Sequence, residues 1–290
     1  EHHQGVGQLQ VQEIASNSAS FVLDLYGGKE ALKGTFYAKG EDVDLSPWVQ
    51  QWMNTPHELL ESRGSFVMWA AIDGKNIHSV QLDLSNSRFK WDTPSGDIQA
   101  SVLGGQIRAN PLNQEWLFNL DNLTLQINDQ VMVTNWRGLV GNQTLSLHHQ
   151  QDINLTPLLG LLPLVLDQGQ LEQLNQLQPT AVLSSFDIQH SLTDGLVMNA
   201  NAKDIGWQQS GLLPGLQELV AEFKWYHDQG TLSVKSKSGI LSIDNILPND
   251  IAYQRLHMDF HLQQQTDNWV LSSQNGLFKS ELISLNPNFV

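Results

Sequence analysis

The sequence predicts a mainly β protein: a meandering antiparallel sheet built from two repeats, with short helices at the repeat junctions. Three observations carry this. Segments alternating apolar and polar residues recur about every 10–15 positions with turn residues between them, the two-residue period of half-buried strands. A junction, EDVDLSPWVQQW at 41–52, returns as QDINLTPLLGLL at 151–162, a step of 110 residues. Hydrophobic content of 40% with 16% charged residues fits a folded chain of 290 residues rather than a disordered one.

The first repeat is read as residues 1–145. At its junction Ser46 is an N-cap and Pro47 falls at the first helical position, where a missing N–H costs nothing. Thr55-Pro56-His57-Glu58 is a capping box opening a second helix over HELLES, giving a helix pair near 46–62. A strand over Ser65 to Ile72 follows; its Phe66 to Ala71 run is apolar on both faces, as if covered by those helices. Val80 to Leu84 alternates cleanly. Leu117 to Leu120 and Leu123 to Ile127 alternate with a slip at Asp121-Asn122, the mark of a bulge or turn.

The second repeat is read as residues 146–290, with a helix pair near 156–178. Thr156 and Pro157 repeat the cap and first-position pattern. Gly169 to Gln178 places Leu171, Leu174 and Leu177 on one helical face. Thr180 to Ile188 restarts the sheet. Thr231 to Lys235 alternates after the turn signal Asp228-Gln229-Gly230. In Leu256 to Leu262 the Leu, Met and Phe residues share one face.

Charge and composition narrow the function. Net charge is −15 with only 15 Lys and Arg, so no clustered cationic surface for nucleic acid is expected. Absence of cysteine excludes disulfides, thiolate metal sites and a Cys nucleophile. The longest apolar run, Leu155 to Leu166, is too short and too interrupted by Pro and Gly to span a membrane. The start at Glu1 without a signal pattern suggests a piece of a longer protein.

Enzyme and metal patterns are weak. His148 and His149 are adjacent on a strand and point to opposite faces, so they cannot chelate one ion. His257 and His261 lie on the polar side of a strand, too far apart to chelate. Asp42 and Asp44 share a strand face, as paired catalytic carboxylates would, but the second copy keeps Asp152 and substitutes Asn154. There is no G-x-S-x-G, H-E-x-x-H, Walker or dinucleotide motif. The Asn-x-Thr matches at Asn122, Asn142 and Asn154 are expected by chance in an Asn-rich chain. Of the nine Trp, Trp69 and Trp116 read as core, and Trp207 and Trp225 as candidates for a partly exposed role.

Two longer patterns resemble the AsmA-like family of Gram-negative envelope proteins, in its YhdP branch. Glu115-Trp116-Leu117-Phe118-Asn119-Leu120-Asp121-Asn122-Leu123-Thr124-Leu125 is similar to that branch's W-x-[FL]-x-L-x-x-L strand, which leads to a D-[LI]-x-L-x-P-L-L segment matched by Asp152 to Leu159. Ala202-Lys203-Asp204-Ile205-Gly206-Trp207, followed by Leu213-Pro214-Gly215-Leu216, is similar to an A-x-D-[VI]-x-W strand and a P-G-L turn. The resemblance covers the middle and much of the C-terminal half. It departs at Gln217-Glu218-Leu219, where a Gly-Ser-Gly-like start is the pattern, and it lacks the family's N-terminal membrane helix.

The resemblance implies an extended, strongly curved antiparallel sheet forming a taco-like groove, apolar inside. It implies a non-enzymatic periplasmic segment of an inner-membrane-anchored protein. Phospholipid acyl chains would be its partners, with the inner and outer membranes reached through the full-length protein. The function implied is lipid transport that supports the outer-membrane permeability barrier, without cofactor, metal or nucleic acid. Groove candidates are Leu82, Leu84, Phe118, Leu120, Leu123, Leu125, Ile127, Leu232, Val234, Met258 and Phe260. Two alternatives stay open from the residues alone. One is an extracellular β-rich glycan-binding or adhesion module using exposed Trp; the other is a glycoside-processing enzyme, for which no carboxylate pair is identified.

Overall fold

In a computed structural model of the chain, alternation is realised among the described residues as eighteen strands, every one paired antiparallel. The structure describes residues 2–9, 19–28, 31–47, 49, 56–74, 76–211, 213–241, 250–264 and 268–289. The chain divides into two units. Unit 1 holds Glu1–Asn142 with Gly160–Val165; unit 2 holds Gln143–Leu159 with Leu166–Val290.

In unit 1 the strands are β1 (His2–Leu9), β2 (Ala19–Tyr26), β3 (Lys33–Asp44), β4 (Glu58–Asp73), β5 (Asn76–Asp92), β6 (Ile98–Leu112), β7 (Glu115–Ile127) and β8 (Gln130–Val140). Each pairs with the next, from β1 to β8. Such a meander keeps almost every contact between sequence neighbours and lets one face differ chemically from the other. Tight turns use Asn in the left-handed region it tolerates, at Asn113 (φ 60°) and Asn128 (φ 52°).

Unit 2 holds β9 (Thr144–His149), β10 (Ile153–Asn154), β11 (Thr180–Ser191), β12 (Gly195–Trp207), β13 (Leu216–Tyr226), β14 (Gln229–Ser236), β15 (Gly239–Leu241), β16 (Ile251–Gln264), β17 (Trp269–Ser280) and β18 (Ser284–Leu285). β9 and β10 pair in succession along one side of β11. From there the order is β11, β12, β13, β14, β16, β17, with β15 beside β16. A 3-10 helix over Thr156–Leu164 and an α-helix, α1 (Gln168–Leu177), separate β10 from β11. Asp167 caps α1: Gln170 N–H donates to Asp167 Oδ1 at 2.9 Å, and Asp167 N–H donates to Gln170 Oε1 at 3.1 Å. Leu171 is buried and Leu174 and Leu177 half-buried, the face the leucine spacing predicts.

The doubled junction folds the same way twice. Ser46 N–H donates to Asp44 Oδ1 at 2.8 Å, and Thr156 N–H donates to Asn154 Oδ1 at 2.9 Å. Leu45 N–H donates to Ser62 O, and Leu155 N–H to Ala181 O. The Asp-to-Asn change is neutral because both turns need only an acceptor oxygen. Asp42 is bound by Arg63 and Arg88, and Asp152 by Lys203. The acids that resemble a catalytic pair are turn and ion-pair residues. The lysine ammonium beside Asp152 holds its carboxyl below the usual range.

One expectation fails at the first copy. Ser46, Pro47 and Val49 are helical, and residues 50–55 lie outside the described residues. The predicted helix over HELLES is instead the start of β4, with Glu58, Leu59, Glu61 and Ser62 paired to Asp92, Trp91, Lys90 and Phe89. Extension puts Leu59 beside Trp91 and lets Glu61 reach Arg88 at 3.3 Å, outweighing a local capping pattern. Trp69 is also corrected: it is 36% exposed and packs edge-on against Tyr37, so it is not core.

Bulges keep the alternation in phase along long strands. At Asp42, Asn86, Asn122, Asp204, Glu218 and Asn275, φ lies between 41° and 63°, and each falls at or beside a register shift. The slip expected at Asp121-Asn122 is one of them. Because it inserts one residue, Leu120 and Leu123 stay on the same face. Asn122→Val is expected to destabilise by about 1–2 kcal/mol, since a β-branched side chain resists the left-handed region, whereas Asn122→Gly is expected to be near neutral. Urea denaturation of both variants decides; equal stability would mean the bulge relaxes.

Candidate functional site

Cross-strand register shows which side chains share a face. In unit 1, Phe21, Ala38, Met68, Leu82, Ile107, Leu120 and Trp136 are successive direct partners across β2 to β8. A parallel row runs Leu23, Phe36, Ala70, Val80, Ala109, Phe118, Gly138. Seven strands at about 4.8 Å spacing make each row about 29 Å long. The opposite face carries the ion pairs, among them Lys33–Asp73 at 3.1 Å, Arg88–Glu61 at 3.3 Å and Arg108–Asp121.

Unit 2 is built alike. One row is Leu147, Ile188, Met198, Trp225, Gly230, Leu262, Leu271; a second is Phe186, Ala200, Phe223, Leu232, Phe260. A third is Leu183, Ala202, Ala221, Val234, Met258. Gly230 is required where it stands, because a Cβ there would sit 2.6 Å from the Trp225 ring. The polar face holds His148–Asp187, Lys224–Glu222 and His257–Asp259. His149, on the apolar side, is 1% exposed and bonded to Gln151 O, so the two adjacent histidines do diverge.

These rows gather the sequence-chosen residues. Leu82 and Leu84 on β5, and Phe118, Leu120, Leu123, Leu125 and Ile127 on β7, share the apolar face of unit 1. Leu232 and Val234 pair directly with Phe260 and Met258 in unit 2. All are half-buried except Ile127, which is 2% exposed. Periodicity missed their partners on β2, β3, β4, β8 and β11, although Phe21-x-Leu23-x-Leu25 and Phe186-x-Ile188 alternate as clearly.

One end of the unit 1 face is covered. Leu164 is buried with Trp91 and Ile98, and Leu161, Leu59, Phe89 and Ala100 pack around them. Gly160 lies so close over Ile127 that a Cβ would come 2.9 Å from its Cγ2. Away from this lid Ala38 and Ala70 are buried but the larger apolar residues of the rows keep partial exposure, and only a dozen hydrophobic residues fall in the buried class among the described residues. A face of apolar side chains that is neither sealed nor polar is what a hydrophobic ligand requires.

The two tryptophans read as partly exposed candidates are both engaged within the fold. Trp207 donates its indole N–H to Pro214 O at 2.7 Å, and Trp225 lies on the apolar face against Phe223 and Trp269. Among the described residues no helix is long and apolar enough to cross a membrane.

A family described as "YhdP protein" matches this chain over residues 1–289. Among curated proteins, the Intermembrane phospholipid transporter YhdP of Escherichia coli (strain K12) is similar, 22% identical over 231 residues. That match covers 72% of this chain and 17% of the relative, so the chain spans a small part of that protein's length. No solved structure matches.

Proposed function

The chain belongs to the YhdP protein family, and from that premise we propose that it carries phospholipid acyl chains along the apolar faces of its sheets. The observation that supports this most directly is the unbroken, half-exposed apolar row across seven strands of unit 1, with rows of the same kind in unit 2. Each methylene taken from water onto such a surface gains about 0.8 kcal/mol, with little preference for one position along the row over the next. A tail therefore stays bound while sliding. The chemistry needs no catalytic group, only continuous apolar surface.

In this reading the chain is a non-enzymatic segment acting in the periplasm between inner and outer membranes, its faces lining an apolar groove. Headgroups stay in water while tails follow the groove, and the transfer supports the outer-membrane permeability barrier. Organic extraction of the purified chain followed by mass spectrometry is expected to release phospholipid. A lipid-free protein that also fails to take up a fluorescent acyl probe overturns the reading.

A further inference from the structure

The polar face of unit 2 has a feature that acyl binding does not use. A concavity of about 1070 Å³ is lined by Lys235, Lys237, Arg255 and His257 on one side and by Asp204 and Glu218 on the other, with Val220 and Leu256 also in its lining. Lys279 adjoins it, directly opposite Arg255 across β16 and β17, and Lys235 stands directly opposite His257. Arg255 and Lys279, like charges facing each other across β16 and β17, repel. Thirteen of the fifteen Lys and Arg are described residues, and eight of these make ion pairs. Of the remaining five, four are Lys235, Lys237, Arg255 and Lys279. In a chain of net charge −15, the unpaired cations are thus gathered in one place rather than scattered.

The acids are as telling. Asp204 and Glu218 line the same concavity, yet neither comes within ion-pair distance of its cations among the described residues. Both sit at bulges with positive φ, 51° and 56°. Among the bulge residues Glu218 is the one that is neither Asp nor Asn, the types that tolerate the left-handed region. The bulge turns an acid toward the concavity at a conformational cost. Strand order sets the separation: acids on β12 and β13, cations on β14 and just past its end, on β16 and on β17, with about 4.8 Å per strand step.

We propose that this concavity binds a zwitterion carrying a phosphate and an ammonium, the chemistry of ethanolamine phosphate, with the phosphate on Lys235 and Arg255 and the ammonium on Glu218. Lys235 and Arg255 alternate to the face opposite Val234 and Met258, so their loss would leave acyl loading untouched and the reverse also holds.

Isothermal titration of the purified chain with O-phosphoethanolamine and, separately, with inorganic phosphate tests it. Saturable binding of both is expected, and Lys235→Gln with Arg255→Gln is expected to weaken each by about tenfold or more, the weight of two charge-assisted hydrogen bonds. Glu218→Gln is expected to weaken O-phosphoethanolamine by about threefold to tenfold and to leave inorganic phosphate no weaker. Lys33→Gln, whose ion pair with Asp73 lies in unit 1, is the control. Absence of saturable binding, binding undiminished in the double variant, or equal effects of Glu218→Gln on both probes overturns the proposal. Thermal unfolding checks that each variant is folded; these are exposed side chains. Phosphatidylethanolamine vesicles, competed by O-phosphoethanolamine, distinguish the source: co-sedimentation supports a lipid headgroup, and soluble binding alone supports a free metabolite of that class.

Discussion

Replacing Leu82 by aspartate is expected to cut uptake of a fluorescent acyl probe by about tenfold to a hundredfold while the sheet stays folded. Leu82 lies mid-row in unit 1, between Met68 and Ile107, and is half-buried. In the empty protein a carboxylate there still reaches water. With an acyl chain alongside it loses that water and gains no partner, a penalty of several kcal/mol or a shift to the neutral form. The matched control is Asn119→Asp on the opposite face, where the new charge stands between Arg108 and Arg137 and should leave uptake unchanged. Fluorescence titration with circular dichroism on both variants decides. Unchanged uptake in Leu82→Asp would show that the apolar row does not carry the chain, and unfolding would show that Leu82 is core.

Trp91→Ala is expected to have the largest effect on stability. Trp91 is 5% exposed, stacked on Phe89 with ring centroids 6.1 Å apart, and packed with Ile98 and Leu164. Removing an indole from such a cluster costs about 3–5 kcal/mol in lost transfer energy and residual cavity. Equilibrium denaturation should show that loss. A loss under about 1 kcal/mol would mean that the lid over this end of unit 1 packs only loosely. The two variants also separate two kinds of apolar residue on one face: those sealed beneath Gly160–Val165, and those left open.

Much of this was legible in the chain. Alternation located the strands bearing Leu82, Phe118, Leu232 and Phe260, and the slip at Asp121-Asn122 was a bulge. Leucine spacing located α1, and the repeated junction proved to be one turn used twice. What misled was a capping pattern at Thr55 to Glu58. A short local signal stabilises a helix by about 1 kcal/mol, while Leu59 and Ser62 gain a whole neighbouring strand by extending. Similarly, Phe66 to Ala71 looked covered on both faces, but Trp69 is met only partly, by Tyr37.

The sequence by itself determined the period: which residues turn inward or outward together, where helices interrupt, and that the polar face would be rich in amides and acids. Period is a local property, fixed by backbone geometry over a few residues. Only the tertiary structure decided register, and register decided which side chains share each face. It set Leu82 in line with Leu120 through Ile107, and it sealed Ile127 while leaving Leu125 half-open. It also brought together Lys235, Arg255 and Lys279, which lie about twenty residues apart in the chain and carry no shared motif. Pairing between strands is a long-range choice made by the fit of whole faces, and no single stretch of residues contains it.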